Sequence, residues 1–586
     1  WLASTAGMGI LERGGNAFDA AVAAGMVLQV AEPHLNGPGG DMPLIMHSAK
    51  TGETKVICGQ GTAPAGATIG HYRDLGLEIV PGTGLLATCI PGTFDAWMLM
   101  LRDHGTMRLE EVFEAAIGYA ENGVPLVPRI IETIETVAEL FRAEWPTSAA
   151  QWLPGGNLPK AGTLLANKTL AATWRRIIAE AKAASADRME QVEAARRVWA
   201  EGFIAEAIDR FCRENAVLDA SGEHHKGVLT GDDMAGWRAT YEDPLTLDYH
   251  GHTICKCGPW SQGPALLQSL ALLAEVDVAA MDPLGADFVH TVTESMKLSY
   301  ADREAWYGDP DFVDVPVADL LSKPYADERR ALIGERASLE QRPGAPGGRQ
   351  PKLADFLTEG RTVTPMVAGA GEPTVARYGS ADDDPGTRPN GVVKGDTCHL
   401  DIIDRWGNMV SATPSGGWLQ SSPLIPELGF ALGSRAQMFW LEEGLPASLA
   451  PGKRPRTTLT PSFALRGGEA WMPFGTPGGD SQDQWQLIFL LRHLHHGLNL
   501  QEAIDIPSFH TEHFPSSFYP RETRPGLLVM EGRWSADVVT ELRRRGHEGE
   551  VGLDWSEGRL TAAKKEDGLL KAAANPRGMQ GYAVGR

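Results

Sequence analysis

KGDTCHLDIIDRWGNMVSATPSGG, residues 394–417, is the stretch whose reading decides the fold. Cys398, Leu400 and Ile402 alternate with Thr397, His399 and Asp401, so an extended chain puts three apolar residues on one face and three polar ones on the other. Asp404-Arg405-Trp406-Gly407-Asn408 is turn chemistry, and Met409 to Thr413 restarts an extended run. The pattern predicts a strand, a tight turn and a second strand. Upstream, residues 335–394 are rich in Pro, Gly and charge, including Asp382-Asp383-Asp384-Pro385-Gly386. Such a composition predicts a flexible linker. A threonine at a strand head, straight after a flexible segment, is oddly placed for packing. It is well placed for a nucleophile exposed by chain cleavage.

Working outward, residues 3–31 read as two helices broken at Gly14-Gly15. Asn16 is the cap of the second, with Asp19 as its acidic partner three residues on. Ala17 to Val30 is apolar nearly all round, as a buried helix should be. Gly37-Pro38-Gly39-Gly40 has neither the lysine of a phosphate loop nor dinucleotide-binding spacing. Residues 42–58 read as strand, turn and strand. From about 106 to 215 the pattern is mostly helical, and the charges from Arg188 to Arg197 read as a solvated face. Pro259-Trp260-Ser261-Gln262-Gly263 falls one glycine short of a nucleophile elbow, which argues against Ser261 as a catalytic serine. Glu294, Lys297 and Arg303 read as paired charges on a buried helix that hold subunits together rather than act in catalysis. His510 and His513 lack a third ligand or an HExxH pattern, so no metal is expected.

Several segments together resemble the gamma-glutamyltransferase (gamma-glutamyltranspeptidase) family of N-terminal-nucleophile hydrolases. The hairpin carries the family's D-T-x-H and D-x-x-G-N residues as Asp396, Thr397, His399, Asp404, Gly407 and Asn408. GGNAFDAAVAA (14–24), EPHLNGPGGD (32–41), LLATCIPGTFDAW (85–97), CGPWSQGPALLQSL (257–270), FVHTVTESMKLSYADREAWYGDPDFV (288–313), GKRPRTTLTPSFAL (452–465) and MPFGTPGGDSQDQWQLIFLLRHL (472–494) extend the likeness over nearly the whole chain. The resemblance implies an α+β fold, a four-layer αββα sandwich. It also implies scission between Asp396 and Thr397, giving a large subunit 1–396, with the 335–394 linker as its tail, and a small subunit 397–586.

The implied chemistry is physically coherent. A threonine hydroxyl is a poor nucleophile unless something takes its proton. The α-amine of an N-terminal residue, with an ordinary pKa of about 8, can do so near neutral pH. Gly478 and Gly479 match the family's oxyanion loop, and glycine lets the backbone approach the reacting carbonyl closely. Thr413 matches a hydroxyl that supports the nucleophile, Ser415 replaces a second threonine, and Thr457 and Thr458 replace a serine pair that holds the substrate carboxylate.

Other positions depart from the family. Gln60 stands where an arginine grips the glutamyl carboxylate, Gly417 replaces an asparagine, and Met438 replaces the acidic residue that binds the amine. A neutral amide cannot reproduce a bidentate arginine. Arg435 is a candidate to supply that charge from the opposite wall, its rival role being a surface or subunit-bridging arginine. The reading that follows is a self-processing amidohydrolase or acyltransferase acting on a gamma-glutamyl or related small acyl amide, without metal or organic cofactor. The alternatives are a dedicated glutathione hydrolase or gamma-glutamyltransferase, and an unprocessed relative kept for binding.

Composition sets the outer bounds. Over 586 residues, 43% hydrophobic and 22% charged content suits a soluble protein with a substantial core. The net charge of −22 disfavours nucleic acid as a partner, and no apolar run reaches the roughly 20 residues needed to span a bilayer. Six cysteines form no disulfide framework and read as buried thiols. The partners expected are a small-molecule amide and the two subunits of one precursor, with association of identical copies left open. The cytoplasm is slightly favoured over a periplasmic or secreted location.

Overall fold

The computed structural model describes residues 1–364, 366, 397–577 and 581–586. Eleven strands make its two principal sheets: β1 (Met42–Ser48), β2 (Glu53–Gly59), β3 (Thr240–Glu242), β4 (Leu245–Tyr249), β5 (His252–Lys256), β6 (Leu400–Ile403), β7 (Met409–Ala412), β8 (Ser462–Arg466), β9 (Glu469–Gly475), β10 (Thr561–Glu566) and β11 (Leu569–Ala574). The first sheet runs β6-β7-β1-β2-β3 and the second β11-β10-β9-β8-β5-β4, with every neighbouring pair antiparallel.

The sheets stack through a shared apolar layer of Ile45, Val56, Met409, Cys255, Trp260 and Phe463. On the outer face of the first lie α1 (Leu2–Glu12), α2 (Ala17–Ala31), α3 (Thr93–His104) and α4 (Leu109–Asn122), which bury Phe18, Val22, Phe94, Trp97 and Phe113 with Leu44 and Val410. Outside the second lie α5 (Pro264–Leu273), α6 (Ala286–Trp306) and α7 (Gln482–His495), packed around Leu270, Phe288, Phe474 and Phe489. The fold is an αββα sandwich, because each sheet buries both faces, one against the other sheet and one under helices.

Local signals explain the elements nearest the hairpin. The break at Gly14-Gly15 separates α1 from α2, and Asn16 with Asp19 forms a complete capping box. Asp404 closes the hairpin turn, its Oδ1 accepting from Trp406 N at 2.9 Å and Asn408 N at 3.0 Å. Its Oδ2 accepts from Ala17 N at 2.9 Å, so one carboxylate serves the turn and the first turn of α2 together. The GPGG loop brings backbones close: a Cβ on Gly40 would sit 2.0 Å from Ser415 O.

Two expectations are corrected. Arg196, inside the run read as solvated, is 4% exposed and grips Asp95 with two bonds of 2.8 and 2.9 Å. The linker expected over 335–394 is docked through its described first part. Ala337 N donates to Arg545 O at 2.8 Å, Gly344 N to Asp302 Oδ1 at 2.7 Å, and Phe356 packs in a core with Trp440. Its apolar content is low, but buried carboxylates and carbonyls elsewhere satisfy its backbone donors. Asp396 lies outside the described residues.

Candidate active site

Thr397 is 1% exposed and pairs with Ser415 as an isolated antiparallel bridge, in the register that joins Leu400 to Ala412. Its Oγ1 donates to Ser415 Oγ at 3.1 Å. Ser415 is held on its other side by Asp41: Ser415 N donates to Asp41 O at 3.0 Å and Asp41 N to Ser415 O at 2.9 Å. Further along the same face, His399 Nδ1 and Thr413 Oγ1 lie 2.9 Å apart, and His399 Nε2 lies 3.0 Å from Asp401 Oδ1. Asp401 Oδ2 accepts from Thr561 Oγ1 at 2.7 Å, and Ser411 Oγ donates to Phe474 O at 3.2 Å. A ladder of polar cross-strand pairs therefore runs from Thr397 into the space between the sheets, and the second sheet supplies its last partners.

Thr413, expected to support the nucleophile, faces His399; the hydroxyl against Thr397 is that of Ser415. The register decides this, since 397 opposite 415 leaves 413 opposite 399.

Gly475, at the end of β9, lies against the His399 ring, where a Cβ would come within 2.2 Å of Cε1. Three residues on, Gly478 (φ 131°) and Gly479 (φ 50°) adopt conformations that favour glycine and start a 3₁₀ turn. Gly478 O accepts from Ser481 N at 2.8 Å. Neither the Gly478 nor the Gly479 amide has a hydrogen-bond acceptor among the described residues. Two adjacent, unengaged N–H groups held by a tight turn are what an oxyanion site requires. A cleft of about 50 Å³ opens beside Gly478, walled by Phe514, Phe518, Tyr519 and Pro520. A cavity of about 950 Å³ is lined in part by His399 and Asp401, while Thr397 is not in its lining.

The residues expected to hold substrate are all buried, and all but Thr458 have side-chain partners of their own. Arg435 is 4% exposed and ion-paired with Asp41: Nε and Nη2 both donate to Oδ1, at 3.2 and 3.1 Å, and Oδ2 lies 3.0 Å from Nε. Its Nη1 points to Met438 Sδ at 3.9 Å, and the guanidinium lies over the Trp418 ring. Arg435 thus joins chain segments that lie before and after residue 397. Burial pushes the Asp41 carboxyl above its usual range, against the pull of Arg435 and of the Thr457 hydroxyl. Gln60 Nε2 donates to Gly61 O at 3.0 Å, leaving Oε1 buried without a partner, and Thr458 Oγ1 is likewise unpartnered. Gly417 takes φ 64° against the Gly39–Gly40 backbone.

Elsewhere, Ser261 Oγ is spent on Gly258 O at 2.9 Å and Gly263 N at 3.1 Å. His510 lies between Glu557 (2.5 Å) and Glu512 (3.2 Å), while His513 meets Glu340 O and Gly526 N. No cluster of three metal-ligating residues occurs among the described residues. Of the helix charges, Lys297 pairs with Glu294 at 2.7 Å, and Arg303 reaches past residue 397 to Asp480 and Pro515 O.

The sequence reading missed Asp41 and Gln262. Asp41 was visible at the end of the GPGGD loop, but its partner lies 394 residues away and no local pattern names it.

Comparison with known proteins gives the site its context. A family model described as Gamma-glutamyltranspeptidase matches residues 3–585. The chain is 30% identical over 591 residues to the glutathione hydrolase-like YwrD proenzyme of Bacillus subtilis (strain 168), covering 100% of this chain and 97% of that protein. A solved structure described as LmbA2991T421A is 56% identical with a TM-score of 0.91, covering 100% of this chain and 97% of its own. The cephalosporin acylase from Bacillus halodurans is 26% identical with a TM-score of 0.79, covering 98% and 92%.

Proposed function

This chain belongs to the gamma-glutamyltranspeptidase family, whose members include hydrolases made as proenzymes, and from that membership we propose that Thr397 is its nucleophile, freed by scission of the Asp396–Thr397 bond. The observation that carries the reading is the buried Thr397 hydroxyl facing Ser415 at 3.1 Å, at the head of the hairpin. The two unengaged glycine amides support it from the neighbouring loop.

In this reading the new α-amine takes the Thr397 hydroxyl proton as Oγ1 attacks the amide carbonyl. The Gly478 and Gly479 N–H groups stabilise the oxyanion, and each such donor is worth about 3 kcal/mol of barrier. Collapse expels the amine, which leaves with the proton, and an ester remains on Thr397. Water or a second amine then resolves that ester, giving hydrolysis or acyl transfer. The products of scission are subunits 1–396 and 397–586.

The substrate is a gamma-glutamyl or related small acyl amide. Arg435 is neutralised by Asp41, and Gln60 carries no charge. A zwitterionic glutamyl head group therefore meets no unpaired arginine at either position. That favours a small acyl amide over dedicated glutathione hydrolysis.

The test is an intact-mass measurement and a denaturing gel on parent and Thr397→Ala, followed by assay with gamma-glutamyl-p-nitroanilide beside a glutaryl amide. Two subunits and an acyl adduct on the 397–586 fragment are expected of the parent, and one uncut, inactive chain of the variant. Preference for the gamma-glutamyl substrate would restore the glutathione-directed reading. A parent that stays uncut and inert would favour a binding role.

A further inference from the structure

Gln262 sits where the two halves of the site meet, and its side chain is completely buried. Its Nε2 donates to Gly479 O at 3.2 Å, and its Oε1 accepts from Arg303 Nη1 at 2.9 Å. An obligate donor at one end and a carbonyl at the other allow only one orientation of the amide. The main chain of the same residue donates to Thr457 O at 2.9 Å, next to the bridge between Ser261 and Thr457. One residue thus ties the loop carrying the two unengaged amides to the loop carrying Thr457 and Thr458.

The surroundings hold this residue stiffly. Arg303 is fully buried and bonds Asp480 and Glu304, while Asp480 accepts from Ser517 N at 2.8 Å and Ser517 Oγ at 2.6 Å. Behind Gln262, the buried pair Lys256 and Asp483 meets at 2.9 Å, and Lys256 is further tied to Ser462 Oγ at 2.7 Å. Among the described residues Gly479 O has one other donor, Gln482 N in its own turn. Gln262 is therefore the side-chain contact that fixes the plane of the 479–480 peptide from outside the turn.

We propose that Gln262 is a positioning residue for the reaction: through Gly479 O it aims the Gly478–Gly479 amides, and through Thr457 O it fixes the distance between them and the acyl-binding loop. The inference rests on the Thr397 reading above. It assigns Gln262 no contact with substrate. Its effect should fall on the step in which the carbonyl becomes tetrahedral, because donor aim matters most when charge develops.

The test uses the mature two-subunit enzyme and p-nitrophenyl acetate, an activated ester that needs no knowledge of the natural substrate. Attack of Thr397 Oγ1 forms an acetyl ester, releases p-nitrophenolate and transfers the hydroxyl proton to the α-amine. Gln262→Glu keeps the Arg303 contact and replaces the donor to Gly479 O with a second acceptor. Gln262→Met keeps the length and removes both contacts without adding charge. A roughly 10- to 100-fold fall in the acetylation rate is expected for both, with half-saturation within about threefold of the parent and the Thr397-dependent adduct still found by mass. An acetylation rate within twofold of the parent in both variants would overturn the assignment. So would loss of soluble, folded protein in both, which would mark a purely structural role. Thr397→Ala is the separate control: if it takes up acetyl at the parent's rate, the nucleophile reading fails, whatever Gln262 does.

Discussion

Asp41 and Arg435 form a buried ion pair with a closest approach of 3.0 Å, joining the loop after α2 to the 3₁₀ turn at residues 435–438. The main chain of Asp41 also brackets Ser415, which faces Thr397. The pair is thus a clamp between segments before and after residue 397, next to the Thr397–Ser415 contact. Removing one partner of a buried pair strands the other charge, which typically costs about 3–5 kcal/mol. Asp41→Asn is expected to lower unfolding stability by that order in urea titration and to slow scission. Asp41→Leu with Arg435→Met should recover much of the stability but not the activity.

Ser415→Ala removes the hydroxyl opposite Thr397. A net hydrogen bond of about 1 kcal/mol predicts a roughly fivefold fall in turnover, read as kcat on the amide that the parent accepts. Thr413→Val, one pair further along, should instead disturb His399 and register first in thermal stability. Equal effects of the two on kcat at unchanged stability would contradict the register argument.

Gly475→Ala drives a methyl group into the His399 ring, whose own contacts with Thr413 and Asp401 leave it little room to move. Overpacking of this kind costs about 1–3 kcal/mol, and the displaced ring should also slow self-scission. Gly9→Ala provides the contrast. It lies in α1 with nothing within 4 Å of a new Cβ, and should be neutral or stabilising by up to about 1 kcal/mol. Thermal melts of both variants check the pair.

Acid should unfold the protein from the His547 cluster. His547 Nε2 lies 2.8 Å from His290 Nδ1, and burial, with Lys297, His290, Arg545 and His513 nearby, lowers its pKa to about 2. Burial, with Lys297 and Arg342 nearby, lowers His513 to about 4. Both are held neutral by the fold, so below the unfolded value of about 6.5 the unfolded chain binds more protons. Stability is full above that pH and is lost as pH falls toward 4, by roughly 1.4 kcal/mol per pH unit per histidine. His547→Gln should flatten the dependence of the melting temperature between pH 6.5 and 5; an unchanged slope would remove His547 from the account.

What the sequence determined by itself was everything carried by contacts a few residues apart. Asn16 and Asp19 cap α2 because Ncap and N3 are neighbours on any helix, and Asp404, Gly407 and Asn408 turn the hairpin from within five residues. Alternation alone put Thr397, His399 and Asp401 on one face. The tertiary structure decided which groups those faces meet. The pairing register chose Ser415 over Thr413 as the partner of Thr397. Chain segments 394 residues apart brought Asp41 to Arg435, and the crossing of two loops brought Gln262 to Gly479. The reason is physical: periodicity fixes the direction of a side chain relative to its own backbone, while its partner depends on how separate layers stack, and no local pattern carries that distance.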